Sequence, residues 1–436
     1  MADANMAWAE FPEECVAGIL SHLPCLLDHA MFSGVCKPWR TIALQHPPRQ
    51  IPLLLMPSRA ATSFFCVASG DTHHRPGLPA DARGARFFGS FPGGWLAGEL
   101  PESLGYTLLN LCTGARVALP TRLRCSVNAR GSNKYPIIIH AVTLSAAPSE
   151  DRPYYAAAVM SSQSNIAFWR PGMGYWTPPT ENWGAELEDW QKLTFNGPIE
   201  DVTYYIGPLG EGFYVLTNKE DLLLYTPNTN NNPGELTMSS VEGYSIRRNP
   251  RPTMPDPGEV LARYLVQSRG ELLMVVRFVS AEKATVAFDV FKLELQPRSW
   301  KKFTFDTLTG RRFFLGRGCS VAVDMENPCP LYIYFLDDSA RFHGPGTSHS
   351  QQVENPFPSA DTGRSCWFFD QGIVYSLPRG PPSDCSPWTW FFLSDETFRL
   401  VPPAAAGGVV SDSSDESNSD DESIGTAHGN DETSLF

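Results

Sequence analysis

The sequence predicts a mainly β protein with a short helical N-terminus and an acidic C-terminal tail. Three observations lead there. Helical periodicity is confined to the first 45 or so residues. From about Ile51 to Leu400, short runs rich in Val, Ile, Tyr, Phe and Trp alternate with Gly, Pro, Asn and Asp. The last stretch is poor in apolar residues and dense in Ser, Asp and Glu.

The N-terminal element opens at Pro12, which suits the first position of a helix because its missing N–H has no partner there. Glu13 and Glu14 follow in the first turn, where the helix dipole favours negative charge. Val16, Ile19, Leu20 and Leu23 then recur at i, i+3, i+4 and i+7, one apolar face. Leu23-Pro24 ends that helix. A second helix is expected from Asp28, and Phe32, Val35, Trp39 and Ile42 mark an apolar face running into a third. Gly18, Gly34 and Pro38 weaken helix propensity. So small a module is expected to leave Ile19, Leu20, Leu23, Leu26, Val35 and Trp39 partly exposed, with Trp39 as the anchor for a partner.

Pro47, Pro48, Pro52 and Pro57 then argue for an extended connector. Beyond it the strand-like segments form clusters. Phe87-Phe88-Gly89-Ser90, Gly93-Gly94-Trp95-Leu96 and Tyr106 to Asn110 make the first, closing at Leu119-Pro120. Ile137 to Leu144, Ala156 to Met160 and Asn165 to Arg170 follow, with Gly174-Tyr175-Trp176 at the end. Later clusters run through Ile199 to Thr226, Ala262 to Trp300 and Phe314 to Leu393. Three or four strands in about 40 to 60 residues is the spacing of propeller blades, and about six blades fit the length. The same strand inventory also permits a β-sandwich. The domain reading is a three-helix domain at 8–46, a Pro-rich connector at 47–60, a β-propeller-like domain at 61–402 and a disordered acidic tail at 403–436.

The formal charge is −13. Eight acidic residues between Asp412 and Glu432, with no Lys or Arg among them, account for most of it. Ser413, Ser417 and Ser419 each have an acidic residue three positions on, the spacing an acidophilic kinase reads; a solvating tail is the plainer reading. The balance excludes a phosphate-backbone binder. The opening MADANMAW lacks a basic n-region and an apolar h-region, so no secretory leader is expected. No apolar run reaches the roughly 18 to 20 residues a membrane helix needs. Ten scattered cysteines without a leader read as reduced thiols, placing the chain in cytoplasm or nucleus.

The chemistry of catalysis is not visible in the sequence. There is no GxxxxGK[ST] loop and no Gly-x-Ser-x-Gly elbow. Gly316-Arg317-Gly318 begins like a dinucleotide fingerprint, but Val321 stands in the third glycine position. No Cys-x-x-Cys occurs, so no metal site and no cofactor are expected. His73 and His74 are adjacent and on a strand would point to opposite faces. The carboxylate pairs Asp337-Asp338 and Glu200-Asp201 read as solvated residues at strand ends. The expectation is a non-enzyme. Long polar loops at 178–188, 228–234, 247–258 and 341–362 suit binding, with Trp176 and Trp183 as aromatic platforms or as packing between blades. The substrate-binding residues stay unknown.

Phe11-Pro12, Ile19-Leu20, Leu23-Pro24, Leu26-Leu27 and Val35-Cys36-Lys37-Pro38-Trp39-Arg40, in this order, resemble an F-box. Phe11 stands where Leu is usual. With the later Phe87-Phe88-Gly89-Ser90, Leu109-Asn110-Leu111 and Phe213-Tyr214-Val215-Leu216 segments, the chain is similar to a plant family that joins an F-box to a kelch-like C-terminal domain of unknown function (the DUF295 type). The resemblance implies that Phe11, Pro12, Ile19, Leu20, Leu23, Pro24, Leu26, Val35, Cys36, Trp39 and Arg40 dock on a Skp1-like adaptor and, through it, a cullin. The β domain would then hold a protein substrate for ubiquitination, with no role for nucleic acid or membrane. The alternative is a non-ligase scaffold whose N-terminal helices pack on the propeller.

Overall fold

The computed structural model describes residues 11–46, 51–73, 78–101, 105–126, 132–149, 151–160, 166–179, 198–228, 236–244, 246–248, 258–296, 298–325, 330–339, 357–368, 371–377 and 381–393. Three helices lead: α1 (Glu13–Ser21), α2 (Leu26–Ser33) and α3 (Lys37–Gln45). α2 begins two residues before Asp28, with Cys25 at its N-cap in extended conformation. Gly34 caps α2, and Pro38 lies in the first turn of α3, so neither interrupts a helix interior. The propensity cost read from the sequence therefore falls on Gly18 alone.

The remainder is a ring of six sheets. Blade 1 holds β1 (Leu53–Met56), β2 (Ser63–Cys66) and β3 (Thr72–His73). Blade 2 is β4 (Arg86–Phe91), β5 (Trp95–Leu100), β6 (Gly105–Asn110) and β7 (Arg116–Leu119). A hairpin of β8 (Arg122–Ser126) and β9 (Ser132–Pro136) precedes blade 3, made of β10 (Ile139–Leu144), β11 (Ala156–Met160) and β12 (Ile166–Trp169). Blade 4 is β13 (Ile199–Gly207), β14 (Gly210–Thr217), β15 (Leu222–Pro227) and β16 (Met238–Tyr244). Blade 5 comprises β17 (Arg247–Arg248), β18 (Glu259–Ser268), β19 (Glu271–Val279), β20 (Thr285–Leu295) and β21 (Arg298–Lys302). Blade 6 comprises β22 (Arg311–Leu315), β23 (Val321–Asp324), β24 (Leu331–Phe335), β25 (Gly363–Phe368) and β26 (Gln371–Ser376). The last strand, β27 (Thr389–Phe391), returns to pair antiparallel with β1, Leu53 facing Phe391.

That pairing moves the start of the β domain. β1 falls inside the stretch read as connector, so the propeller begins by Leu53 rather than at 61. The prolines flank the strand rather than excluding it: Pro52 and Pro57 lie just outside Leu53–Met56, where no ladder N–H is lost. The tail at 403–436 lies outside the described residues.

Each neighbouring pair of blades shares an apolar cluster, which is how flat sheets with two apolar faces close into a ring. Leu53, Leu55 and Phe64 meet Phe87, Leu96 and Leu109 between blades 1 and 2. A continuous cluster joins blades 2, 3 and 4, including Leu108, Val142, Phe168 and Phe213. Tyr214 and Leu216 meet Leu265 and Met274 between blades 4 and 5, and Tyr264 and Val275 meet Phe313 and Ile333 between 5 and 6. Leu54 and Trp390 meet Phe314 and Tyr334 where blade 6 rejoins blade 1. Trp390 donates from Nε1 to the Leu315 carbonyl at 3.0 Å and packs edge-on to Phe314.

Candidate functional site

The helical module has two faces with different tasks. Val16, Leu20, Phe32, Trp39, Ile42 and Ala43 form its own small core, in which Phe32 and Trp39 stack with centroids 4.3 Å apart. Cys25, Leu26 and Leu27, at the start of α2, belong instead to the cluster between blades 1 and 2. The expected exposure of Leu20, Leu26 and Trp39 is thus corrected: all three are buried, and Trp39 is only 7% exposed. Three helices do complete a core, because α2 lends one end to the propeller and the other to the module. Exposed apolar surface falls on Ile19 (40%), Met31 (72%), Val35 (56%) and Leu44 (42%).

The remaining residues implied by the resemblance divide the same way. Pro12, Pro24 and Arg40 are exposed, and Phe11, Leu23 and Cys36 are half-buried. Pro12, Cys15 and Ile19 share the outward face of α1 by their spacing, while Arg40 and Leu44 share that of α3. The eleven residues do not form one surface. Five face solvent, three support them partway, and three are core.

A second place of interest lies where five of the six blades converge. A small cavity of about 110 Å³ is bounded by Arg86 and Phe88 of blade 2, His140 and Val159 of blade 3, Ile199 of blade 4, Arg317, Asp337 and Asp338 of blade 6, and Trp388 and Thr389 beside the closing strand. The loop carrying Arg317 reaches across from blade 6 to blade 2, where Ser90 N donates to the Gly318 carbonyl at 3.2 Å. Only glycine fits at 318: φ is +68°, and a Cβ would approach the Phe88 carbonyl oxygen to 2.6 Å.

Asp201 and Asp338 sit under this loop and are buried, contrary to their reading as solvated residues at strand ends. Asp201 accepts from the amides of Val202 and Leu265 at 2.9 and 2.8 Å. Burial pushes its carboxyl up to about 7, against the pull of those amides and of Arg317. Burial likewise raises Asp338, which accepts from the Tyr264 hydroxyl at 2.7 Å. Tyr264 also contacts Arg277, whose guanidinium is fully buried and held by Thr285, the Leu336 carbonyl and Asp361 Oδ2, the last at 2.7 Å. Ligand pockets usually run to about 300–1,000 Å³, so a cavity this small ties blades together rather than holding a substrate. Sequence reading missed this cluster because its bonded partners lie 64 to 84 residues apart and meet only when blades 4, 5 and 6 pack together.

A ligand-sized cleft of about 760 Å³ lies between blades 2 and 3, lined by Trp95, Arg116, Arg152, Tyr154, Tyr155 and Arg170 among others. Arg116 is tied to Asp81, which holds that carboxyl below its usual value. Trp176 is fully buried and donates to the Pro120 carbonyl at 2.7 Å, so it packs and offers no platform. Trp183 and most of the four long polar loops lie outside the described residues.

A closed ring of six three- to five-stranded units, sealed by a strand from each end of the domain, defines the β-propeller class, whose members commonly serve as platforms for protein–protein interaction. Within that class the family model described as KIB1-4 beta-propeller matches residues 64–361, and the chain belongs to that family. No curated protein matches the chain.

Proposed function

We propose that the chain is the substrate-recognition adaptor of a Skp1–cullin–F-box ubiquitin ligase. Its helical module docks on Skp1 and its propeller holds a protein substrate. The observation that carries the reading is the solvent face of the module: Ile19 on α1 and Val35 in the turn between α2 and α3 stand exposed, beside a module core that is complete without them, at two positions of the F-box pattern. Apolar side chains that a fold does not need for itself suit a partner's helix surface. Arg40 lies exposed to pair with acidic groups at the rim of such an interface. Ubiquitin transfer would belong to the partners, and this chain would supply proximity. The cleft between blades 2 and 3 is a ligand-sized feature of the propeller on which cargo could rest. Cys15, Cys25, Cys36, Cys66, Cys112, Cys319, Cys366 and Cys385 are free thiols, in keeping with a reducing cytoplasm or nucleus.

The test uses the intact chain and purified Skp1. Ile19→Glu and Val35→Glu change exposed positions, so the fold survives by circular dichroism. Two lost apolar contacts of roughly 1–2 kcal/mol each weaken capture by about thirty- to seven-hundredfold. A wild-type chain that binds no Skp1 at micromolar concentration, or variants that bind as well as wild type, would sink the adaptor reading. The scaffold alternative draws on a specific observation too, the burial of Cys25, Leu26 and Leu27 against blade 1. It predicts a stable, monodisperse chain with no affinity for Skp1.

A further inference from the structure

Side-chain alternation on blade 1 puts an unexpected set of groups together. β2 and β3 pair with Phe64 opposite His73, so Phe64, Cys66 and His73 share one face of the sheet. Leu53 and Leu55 of β1 extend that face, and all of it turns toward the start of α2. There Cys25 occupies the N-cap and Asp28 the third helical position, a spacing that brings both side chains to the same side of the helix end. Cys25 Sγ lies 3.2 Å from His73 Nε2. A ligand atom from each of Cys25, Asp28 and His73 falls within 4.8 Å of the other two. Zinc held by sulfur at about 2.3 Å and nitrogen at about 2.0 Å separates two tetrahedral ligands by roughly 3.5 Å, close to the distance between Cys25 Sγ and His73 Nε2.

We propose that Cys25, Asp28, Cys66 and His73 form a tetrahedral zinc site that clamps the helical module onto blade 1. Two sulfurs, an imidazole nitrogen and a carboxylate oxygen complete four-coordination, the closed shell of a structural site. The Cys25 and Cys66 side chains hydrogen-bond each other, which sets the second sulfur beside the first. Binding displaces the thiol protons to solvent, and the metal neutralises the thiolates that form. The ligands come from positions 25, 28, 66 and 73, without the paired Cys-x-x-Cys spacing by which such sites are ordinarily read. Cys25 and Cys66 meet only because α2 docks on the sheet.

The probe is zinc alone on the untagged full-length chain, purified under reducing conditions. Elemental analysis after desalting is expected to find about one zinc per chain. Cobalt substituted for it should give the charge-transfer absorption of thiolate ligation, and a chelator should lower the melting temperature. His73→Asn changes a half-buried residue at a strand end and Cys66→Ser removes one thiol; in each, retained zinc falls at least tenfold, while Cys112→Ser keeps it. If either ligand variant fails to fold, Asp28→Asn at the helix surface must still weaken cobalt binding at least tenfold. The proposal is overturned if the parent chain retains less than a tenth of an equivalent of zinc, if the ligand variants retain as much as the parent, or if the reduced parent chain carries a Cys25–Cys66 disulfide.

Discussion

Asp201 shows how much one buried carboxyl can do. Between the ordinary value of 3.8 and about 7, the unfolded chain has given up this proton while the folded chain still holds it. Stability therefore falls as pH rises through that window and levels off above it. Asp338 acts in the same direction, and Arg317 opposes both. Each pKa unit corresponds to about 1.4 kcal/mol, so the decline amounts to a few kcal/mol. Denaturation midpoints measured from pH 4 to 8 should trace it, and Asp201→Asn should flatten the curve even if the loss of one amide acceptor lowers it throughout. An unchanged slope in the variant would mean that the proton is held elsewhere. None of this was legible beforehand: Glu200-Asp201 and Asp337-Asp338 looked like ordinary turn carboxylates, because local sequence carries no trace of the loop at Arg317 that covers them.

At the scale of the element, the helices were readable and their packing was not. Periodicity placed α1 to within two residues, and Val16 and Leu20 are indeed buried. The sequence leaves open whether the helices stand apart or pack on the propeller, and the structure has them do both. α2 divides its apolar side chains between two cores, so Trp39 is needed internally and cannot also be an anchor. Trp39→Ala should therefore cost about 3–5 kcal/mol, chiefly within the module. Hydrogen exchange checks this: amides of α1 and α3 lose protection, while those of β14 and β19 in blades 4 and 5 keep theirs. Loss of Skp1 capture in that variant would report unfolding of the module, which is why the exposed Val35 is the sharper probe. The strands were easier. Phe213 to Leu216 and Leu272 to Val276 fall in segments read as strands, and both lie in inner strands buried on either side.

For the whole molecule, blade-like spacing was enough to anticipate a ring of about six units, and six are present. What spacing could not reveal was the closure, because Leu53–Met56 and Thr389–Phe391 stand at opposite ends of the domain and each is too short to signal a sheet alone. Truncation after residue 386 should remove β27 and leave Leu54, Phe64 and Phe314 without Trp390 and Phe391. The expected result is a chain that elutes as aggregate and melts without a cooperative transition by calorimetry. Truncation after residue 402 should leave the melt unchanged. A cooperative, monomeric product of the shorter truncation would show that the ring does not depend on its last strand.

The pairing of β1 with β27 also sets an order of events during synthesis. Well over 300 residues separate the two strands, and at roughly 5–20 residues per second a ribosome takes on the order of 20 to 70 s to cover that distance. Throughout that interval the helices have emerged, but the sheet against which Cys25, Leu26 and Leu27 pack still lacks Phe391. The contact of Cys25, Leu26 and Leu27 with blade 1 can reach its mature form only when the final strand arrives. In a nascent or prematurely ended chain the module therefore has its own core but an incomplete seat on the propeller.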